Sequence, residues 1–167
     1  LNAGRLSKVQ RGEYVQRLPT GLVRLADSRV VKDPASQVQH VIQLVLATFE
    51  ELGSCYRVLR YCKQQDIRFP RRHVSRSTHG DILWCKPSES AIRAIITNPA
   101  YAGAFVHGRR TSDPTRQRPG RRTPAMVRRP MAEWHCIIHD AYPAYISWAQ
   151  YLANQARLHA NAQRYTE

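Results

Sequence analysis

Ser88-Glu-Ser-Ala-Ile-Arg-Ala-Ile-Ile-Thr-Asn-Pro-Ala-Tyr-Ala-Gly103 reads as a short helix, a hard stop and a turn into a strand. Ser88 is placed to cap the helix, because its hydroxyl can accept from an early helical N–H. Glu89 falls in the first turn, where a negative charge suits the positive helix end. Ile92, Ile95 and Ile96 obey the i, i+3, i+4 rule and mark one buried stripe, with Arg93 and Thr97 turned away from it. Pro99 cannot continue a helix and pushes Asn98 out of helical geometry. Gly103 then leads into the extended apolar run Ala104-Phe105-Val106-His107. A short helix with one buried face in a strongly basic chain has the layout of a DNA-reading element. On local pattern alone, the same residues also describe a structural helix with a solvated arginine.

Upstream, the periodicity predicts two longer helices. Asp33-Pro34 supplies an N-cap followed by proline at the first helical position. Val38, Val41, Ile42, Val45, Leu46, Phe49 and Leu52 then form a continuous apolar stripe that Gly53 ends. Ser54 can cap a second helix in which Cys55, Val58, Leu59 and Cys62 share a face, so those two cysteines read as core thiols. Residues 67–84, with Arg71-Arg72-His73-Val74-Ser75-Arg76-Ser77-Thr78-His79-Gly80 inside them, read as a polar basic loop, and Trp84 as a core anchor at its far end. Before these helices, Leu18-Pro19-Thr20-Gly21 is turn chemistry, and Leu22 to Val31 suits a small hairpin or an extended arm around Asp27-Ser28. At the N-terminal end, Arg5, Lys8 and Arg11 recur every third residue. In a helix they would make one basic stripe suited to a phosphate backbone; otherwise they are a solvated terminus.

Downstream, residues 108–131 carry four prolines and eight arginines, among them Arg109 and Arg110, against the single acid Asp113. Such a segment is expected to be a loop that orders on DNA or stays solvated. Glu133 to His139 reads as a strand partner for 104–107. Ser147 and Gln150 make a capping box that opens a last helix, with Tyr151, Leu152, Gln155 and Leu158 as its stripe, running to about Ala162. The expected fold class is mainly α with a small antiparallel β element (α+β): a trihelical, helix-turn-helix-like core, a β-hairpin and a C-terminal helix.

The 167 residues hold 26 Lys+Arg against 12 Asp+Glu, a formal net charge of +14. That excess favours a polyanionic partner, and nucleic acid is the commonest. No apolar run is long enough to span a membrane, and no basic amphipathic helix dominates. Cys55, Cys62, Cys85 and Cys136 form no C-x-x-C pair, so no zinc ribbon is encoded, and reduced thiols point to an intracellular, cytoplasmic protein. A metal site would need His107, His135 and His139 to converge without an acidic or cysteine partner, so no metal and no cofactor are expected.

In their order these features resemble the recombinase domain that follows the catalytic, resolvase-like domain of large serine recombinases, the integrases and transposases of phages and mobile elements. The matching pieces are the basic arm ending Arg11-Gly12, Pro19-x-Gly21, Asp33-Pro34, and the helix ending Phe49-x-x-Leu52-Gly53-Ser54. Trp84, Ile92-x-x-Ile95, Asn98-Pro99-x-Tyr101-x-Gly103 and Tyr145-Ile146-Ser147 complete the set, which spans nearly all of residues 1–162. Asn-Pro-x-Tyr-x-Gly after a short helix is its most specific part.

The resemblance implies a basic linking arm over residues 1–20, a DNA-binding domain over 21–162 and a polar tail over 163–167. It implies binding to one half-site of double-stranded DNA, with Arg5, Lys8 and Arg11 at the end of a helix that reaches the minor groove. The Ser88 helix and the 71–76 loop become the contact candidates. They supply Arg71, Arg72, Arg76, Lys86, Ser88, Ser90 and Arg93, joined by Arg109 and Arg110, and Arg93 is the preferred base reader. The family's nucleophilic serine lies in a preceding domain, so no catalytic residue is expected here. The isolated domain is expected to be a monomer and the whole recombinase a dimer or tetramer on DNA.

Three other readings compete. A stand-alone helix-turn-helix transcription regulator predicts stable dimers on a palindromic site. A metal-dependent nuclease using the histidines lacks clustered carboxylates. A basic RNA-binding or scaffolding fragment predicts binding without sequence preference.

Overall fold

The computed structural model describes residues 7, 15–74, 79–116, 120 and 125–163. The chain forms two compact units, one from residues 17–104 and 140–167, the other from 1–16 and 105–139.

In the larger unit, β1 (Leu22–Arg24) and β2 (Val30–Lys32) make an antiparallel hairpin. Ser28 sits at its turn with φ +70°, and Asp27 accepts hydrogen bonds from both the backbone and the side chain of Arg29. Helix α1 (Ser36–Leu52) follows, with Val38, Val41, Ile42, Val45, Leu46 and Phe49 buried along the expected stripe. Gly53 ends it in the left-handed region at φ +70°, its N–H returning to the Phe49 carbonyl, a conformation that suits glycine. The start differs from expectation. Ala35 is the N-cap, while Asp33 stays outside the helix, 1% exposed. Its carboxylate accepts from the Ala35 N–H and ion-pairs with Arg72. Asp33 is therefore a buried tie, and Pro34 shapes the approach to the helix rather than its first turn.

Helix α2 (Cys55–Gln64) buries Cys55, Val58 and Cys62. Burial pushes both thiols above the usual cysteine range, which keeps them protonated and inert. Residues 69–74 and 79–85 are not a loop. They form an antiparallel hairpin, β3 (Phe69–Val74) with β4 (His79–Cys85), in register Phe69↔Cys85, Pro70↔Trp84 and Arg71↔Leu83. Trp84 is 43% exposed on this ribbon, so it anchors no core; Phe69, at 5%, takes that part.

Helix α3 (Glu89–Ile96) packs on α1 and α2 through Ile92, Ile95 and Ile96. Thr97 is buried rather than outward: it caps the helix C-terminus, and its hydroxyl donates to the Arg93 carbonyl. Helix α4 (Trp148–Gln163) begins at the expected capping box. Its Gln150 N–H donates to Ser147 Oγ, and the Ser147 N–H donates to Gln150 Oε1. Tyr151, Asn154 and Leu158 are its buried residues, while Leu152, which the sequence suggested for the stripe, is 41% exposed.

In the smaller unit, β5 (Phe105–His107) pairs antiparallel with β8 (Cys136–Ile138), as expected. The arginine-rich segment between them is not a plain loop. β6 (Arg110–Asp113) pairs with β7 (Ala125–Arg128), with Arg110 opposite Arg128. Polar and cation–π contacts hold this ribbon in place of an apolar face. Arg129 donates to Thr111 Oγ1, Trp134 Nε1 donates to the Arg129 carbonyl, and Arg109 lies 5.6 Å from the Trp134 ring. The fold is α+β, a trihelical core with added hairpins and a C-terminal helix. Among the described residues, no helix is long and apolar enough to cross a membrane.

Candidate nucleic-acid interface

The short helix α3 is presented by a corner built from the residues that follow it. Asn98 accepts from the Ala100 N–H and, with Pro99, starts a single 3-10 turn over Pro99–Ala102. Tyr101, 3% exposed, donates from its hydroxyl to the Thr20 carbonyl, and its own carbonyl accepts from the N–H groups of Tyr145 and Ile146. Tyr145 packs edge-on against the Tyr101 ring and donates to the Gly21 carbonyl. Gly103 closes the corner at φ +76°, where a Cβ would stand 2.9 Å from the Tyr142 carbonyl oxygen. Asn-Pro-x-Tyr-x-Gly is thus a scaffold that ties the end of α3 to the 19–21 turn and to residues 142–146.

At the other end, Ser88 Oγ accepts from the Ala91 N–H at 3.2 Å and lies 3.1 Å from Ser90 Oγ. With its isoleucines buried, α3 exposes Glu89, Ser90, Arg93 and Ala94. Arg93 reaches Glu89 at 3.4 Å, an exposed i, i+4 pair that contributes little and yields readily to a stronger anion. Ser90 and Ala94 are short, so nothing on this crest keeps a partner away from the helix backbone except Arg93 and Glu89.

One flank of α3 opens on a recess of about 500 Å³ whose lining includes Arg71, Lys86, Ser88 and Ser90, with Tyr101 and Ile95 among its apolar walls. The fold therefore brings Arg71 to Lys86, Ser88 and Ser90, which are near one another in the sequence but fifteen or more residues from it. Arg71 reaches the recess from β3, and Lys86 from the residue after β4. Helix α2 packs against α3 as well.

Arg72 is separate from this group. It is 23% exposed and spends its charge on buried Asp33, so it fastens the β3–β4 hairpin to the start of α1. Arg109 and Arg110 lie in the smaller unit, Arg109 over Trp134 and Arg110 exposed on β6 across from Arg128. Arg5, Lys8, Arg11 and Arg76 lie outside the described residues. The sequence reading overlooked the outward face of α2, where Tyr56, Arg57, Arg60, Tyr61 and Lys63 are all exposed. Their pattern was visible as the complement of the buried cysteine stripe. Among the described residues no group of three or more His, Cys, Asp or Glu is arranged to hold a metal ion.

The Recombinase family model matches residues 36–161. The chain belongs to the Recombinase family. It is 41% identical over 163 residues to the uncharacterized protein y4bA/y4pH of Sinorhizobium fredii (strain NBRC 101917 / NGR234). That alignment takes in 97% of this chain and 23% of the relative, so the recombinase domain spans well under half of that protein. A chain in the crystal structure of an LSR–DNA complex shares the fold, with a TM-score of 0.57 and 12% identity, over 94% of this chain and 38% of that one. The family and the shared fold identify the chain as the recombinase domain of large serine recombinases.

Proposed function

We propose that this domain binds one half-site of duplex DNA on behalf of a site-specific serine recombinase, positioning the duplex while the parent protein's catalytic domain cuts and rejoins it. The observation that carries the proposal is the crest of α3. It is a capped, well-packed helix with one exposed arginine among short side chains, beside a recess edged by Arg71 and Lys86. Arginine pairs bidentately with guanine in the major groove, serine accepts or donates to either base type, and alanine packs on a thymine methyl. Arg93, Ser90 and Ala94 therefore match the chemistry of base readout, whereas Arg71 and Lys86 match phosphate contacts that fix register. DNA in the solved LSR–DNA complex supports the same partner for this domain.

Arg109 and Arg110 would add phosphate contacts from the smaller unit, and the resemblance assigns Arg5, Lys8 and Arg11 to a basic arm that serves a minor groove. The domain itself acts as a monomer with no cofactor and cuts no DNA; the recombinase assembles as a dimer or tetramer on its site. Selection of bound duplexes from a randomised pool tests this reading. One short, asymmetric motif is the expected result. A palindromic motif bound by a stable dimer would favour a stand-alone regulator, and no motif at all would leave a general polyanion binder.

A further inference from the structure

Half-site readout through α3 leaves the outward face of α2 unexplained. Cys55, Val58 and Cys62 point inward. At 3.6 residues per turn, the opposite crest carries Arg57 and Arg60, with Tyr56 and Tyr61 on its shoulders and Lys63 beside Tyr56. Tyr56 is 59% exposed and Tyr61 36%. The helix contains no acidic residue, and none of its three cations forms an ion pair with a described residue. Arg57 with Arg60, and Arg60 with Lys63, are like charges at i, i+3, an arrangement that weakens a helix unless something negative lies across it.

A second observation lies at the start of the helix. Arg57 shares a recess of about 590 Å³ with Arg157 of α4, bounded by Gly53, Ser54 and Asn161. Arg157 is anchored there by a 2.6 Å hydrogen bond to the Glu50 carbonyl, and Asn161 by one of 2.7 Å to the Gly53 carbonyl. Two arginines from different helices thus line one recess at one end of the cationic face.

We propose that this face of α2 is a second DNA surface, which takes the phosphate backbone of the duplex that α3 reads and fixes its register without contacting bases. It rests on the DNA binding proposed above. From Arg57 to Lys63 the helix rises about 9 Å, enough to follow two or three phosphates of one strand at about 3.4 Å of rise each. Tyr56 and Tyr61 add hydroxyl donors for phosphate oxygens, and α2 and α3 are packed neighbours, so both can face one duplex.

The test replaces Arg57 and Arg60 together by alanine in the full chain and measures binding to the selected duplex and to a scrambled one over a salt series. The expected result is an equal loss on both duplexes, about tenfold or more at physiological salt. The salt slope becomes shallower by about 1.8, or 0.9 per phosphate contact, and the preference between duplexes is unchanged. Arg57→Lys with Arg60→Lys retains most of the affinity. Arg29→Ala with Arg68→Ala, which removes the same charge elsewhere, leaves binding within about twofold. The Arg57→Gln, Arg60→Gln pair keeps most of the side-chain length and answers the question if the alanine pair unfolds. The inference is overturned if the arginine variants bind like the parent chain, if the control pair loses as much, or if only the preference changes. A parent chain that binds no duplex overturns the proposed function and this inference together; unaltered binding by the variants overturns this inference alone.

Discussion

Gly103 and Tyr145 show how much of the α3 platform depends on single side chains. Gly103→Ala would force a Cβ against the Tyr142 carbonyl at a left-handed backbone position, so it should destabilise the domain by about 1–3 kcal/mol. Chemical denaturation checks this, and an unchanged midpoint would remove the corner from the account. Tyr145 is pushed up to about 12, first by burial and then by the charge of Asp33, and burial also raises Tyr101. Each donates its phenolic proton to a backbone carbonyl, which an ionised tyrosine cannot do. A folded value above the unfolded value of about 10 means that the native state holds its proton longer. The contribution of Tyr145 is therefore complete below about pH 10 and is lost as the pH rises through about 12. Tyr145→Phe should flatten the fall in melting temperature across that window. Thr97 and Trp84 illustrate what single residues conceal. Thr97 turned inward because its hydroxyl found the Arg93 carbonyl, and Trp84 turned outward because its hairpin, not its hydrophobicity, decided its side.

Among the elements, helices α1–α4 and the β5–β8 pair were legible because each writes an apolar period into the chain or alternates with clear turn signals. The β3–β4 and β6–β7 hairpins were not. One strand of each, β3 and β6, is rich in arginine or polar residues, and what stabilises the hairpins is backbone pairing plus contacts far away in sequence. The tie between Arg72 and Asp33 spans 39 residues, and no local window contains it. It also explains why Asp33-Pro34, which resembles a helix start, holds the end of a neighbouring hairpin instead. Asp33→Ala or Arg72→Ala should each cost about 1–3 kcal/mol. That is less than a fully buried pair, because Arg72 keeps some solvent access. Thermal melts of the two single variants and the double variant measure the coupling. Strict additivity would mean that the pair does not hold the hairpin. The candidate contacts divided along the same line: Arg71, Lys86, Ser88, Ser90 and Arg93 cluster around α3, whereas Arg72 serves the fold.

For the whole molecule, a net charge of +14 sets the character of binding more than any single contact does. Affinity for duplex DNA should fall linearly in log–log form with salt, with a slope of about −0.9 for each phosphate neutralised. A binding constant insensitive to salt would contradict a phosphate-based interface. Charge was fully legible from the sequence and already indicated a polyanion, but it could not separate readers from neutralisers. The proposed division between them draws on the position of α3 beside the recess at Arg71 and Lys86. The most direct measurement is therefore the affinity of Arg93→Ala for the selected duplex and for each of its single-base-pair variants. The account predicts that discrimination is lost at one base pair, by about 1–3 kcal/mol, and kept at the others. A uniform loss at every position would make Arg93 one more phosphate contact and would contradict the placing of α3 as the reading element.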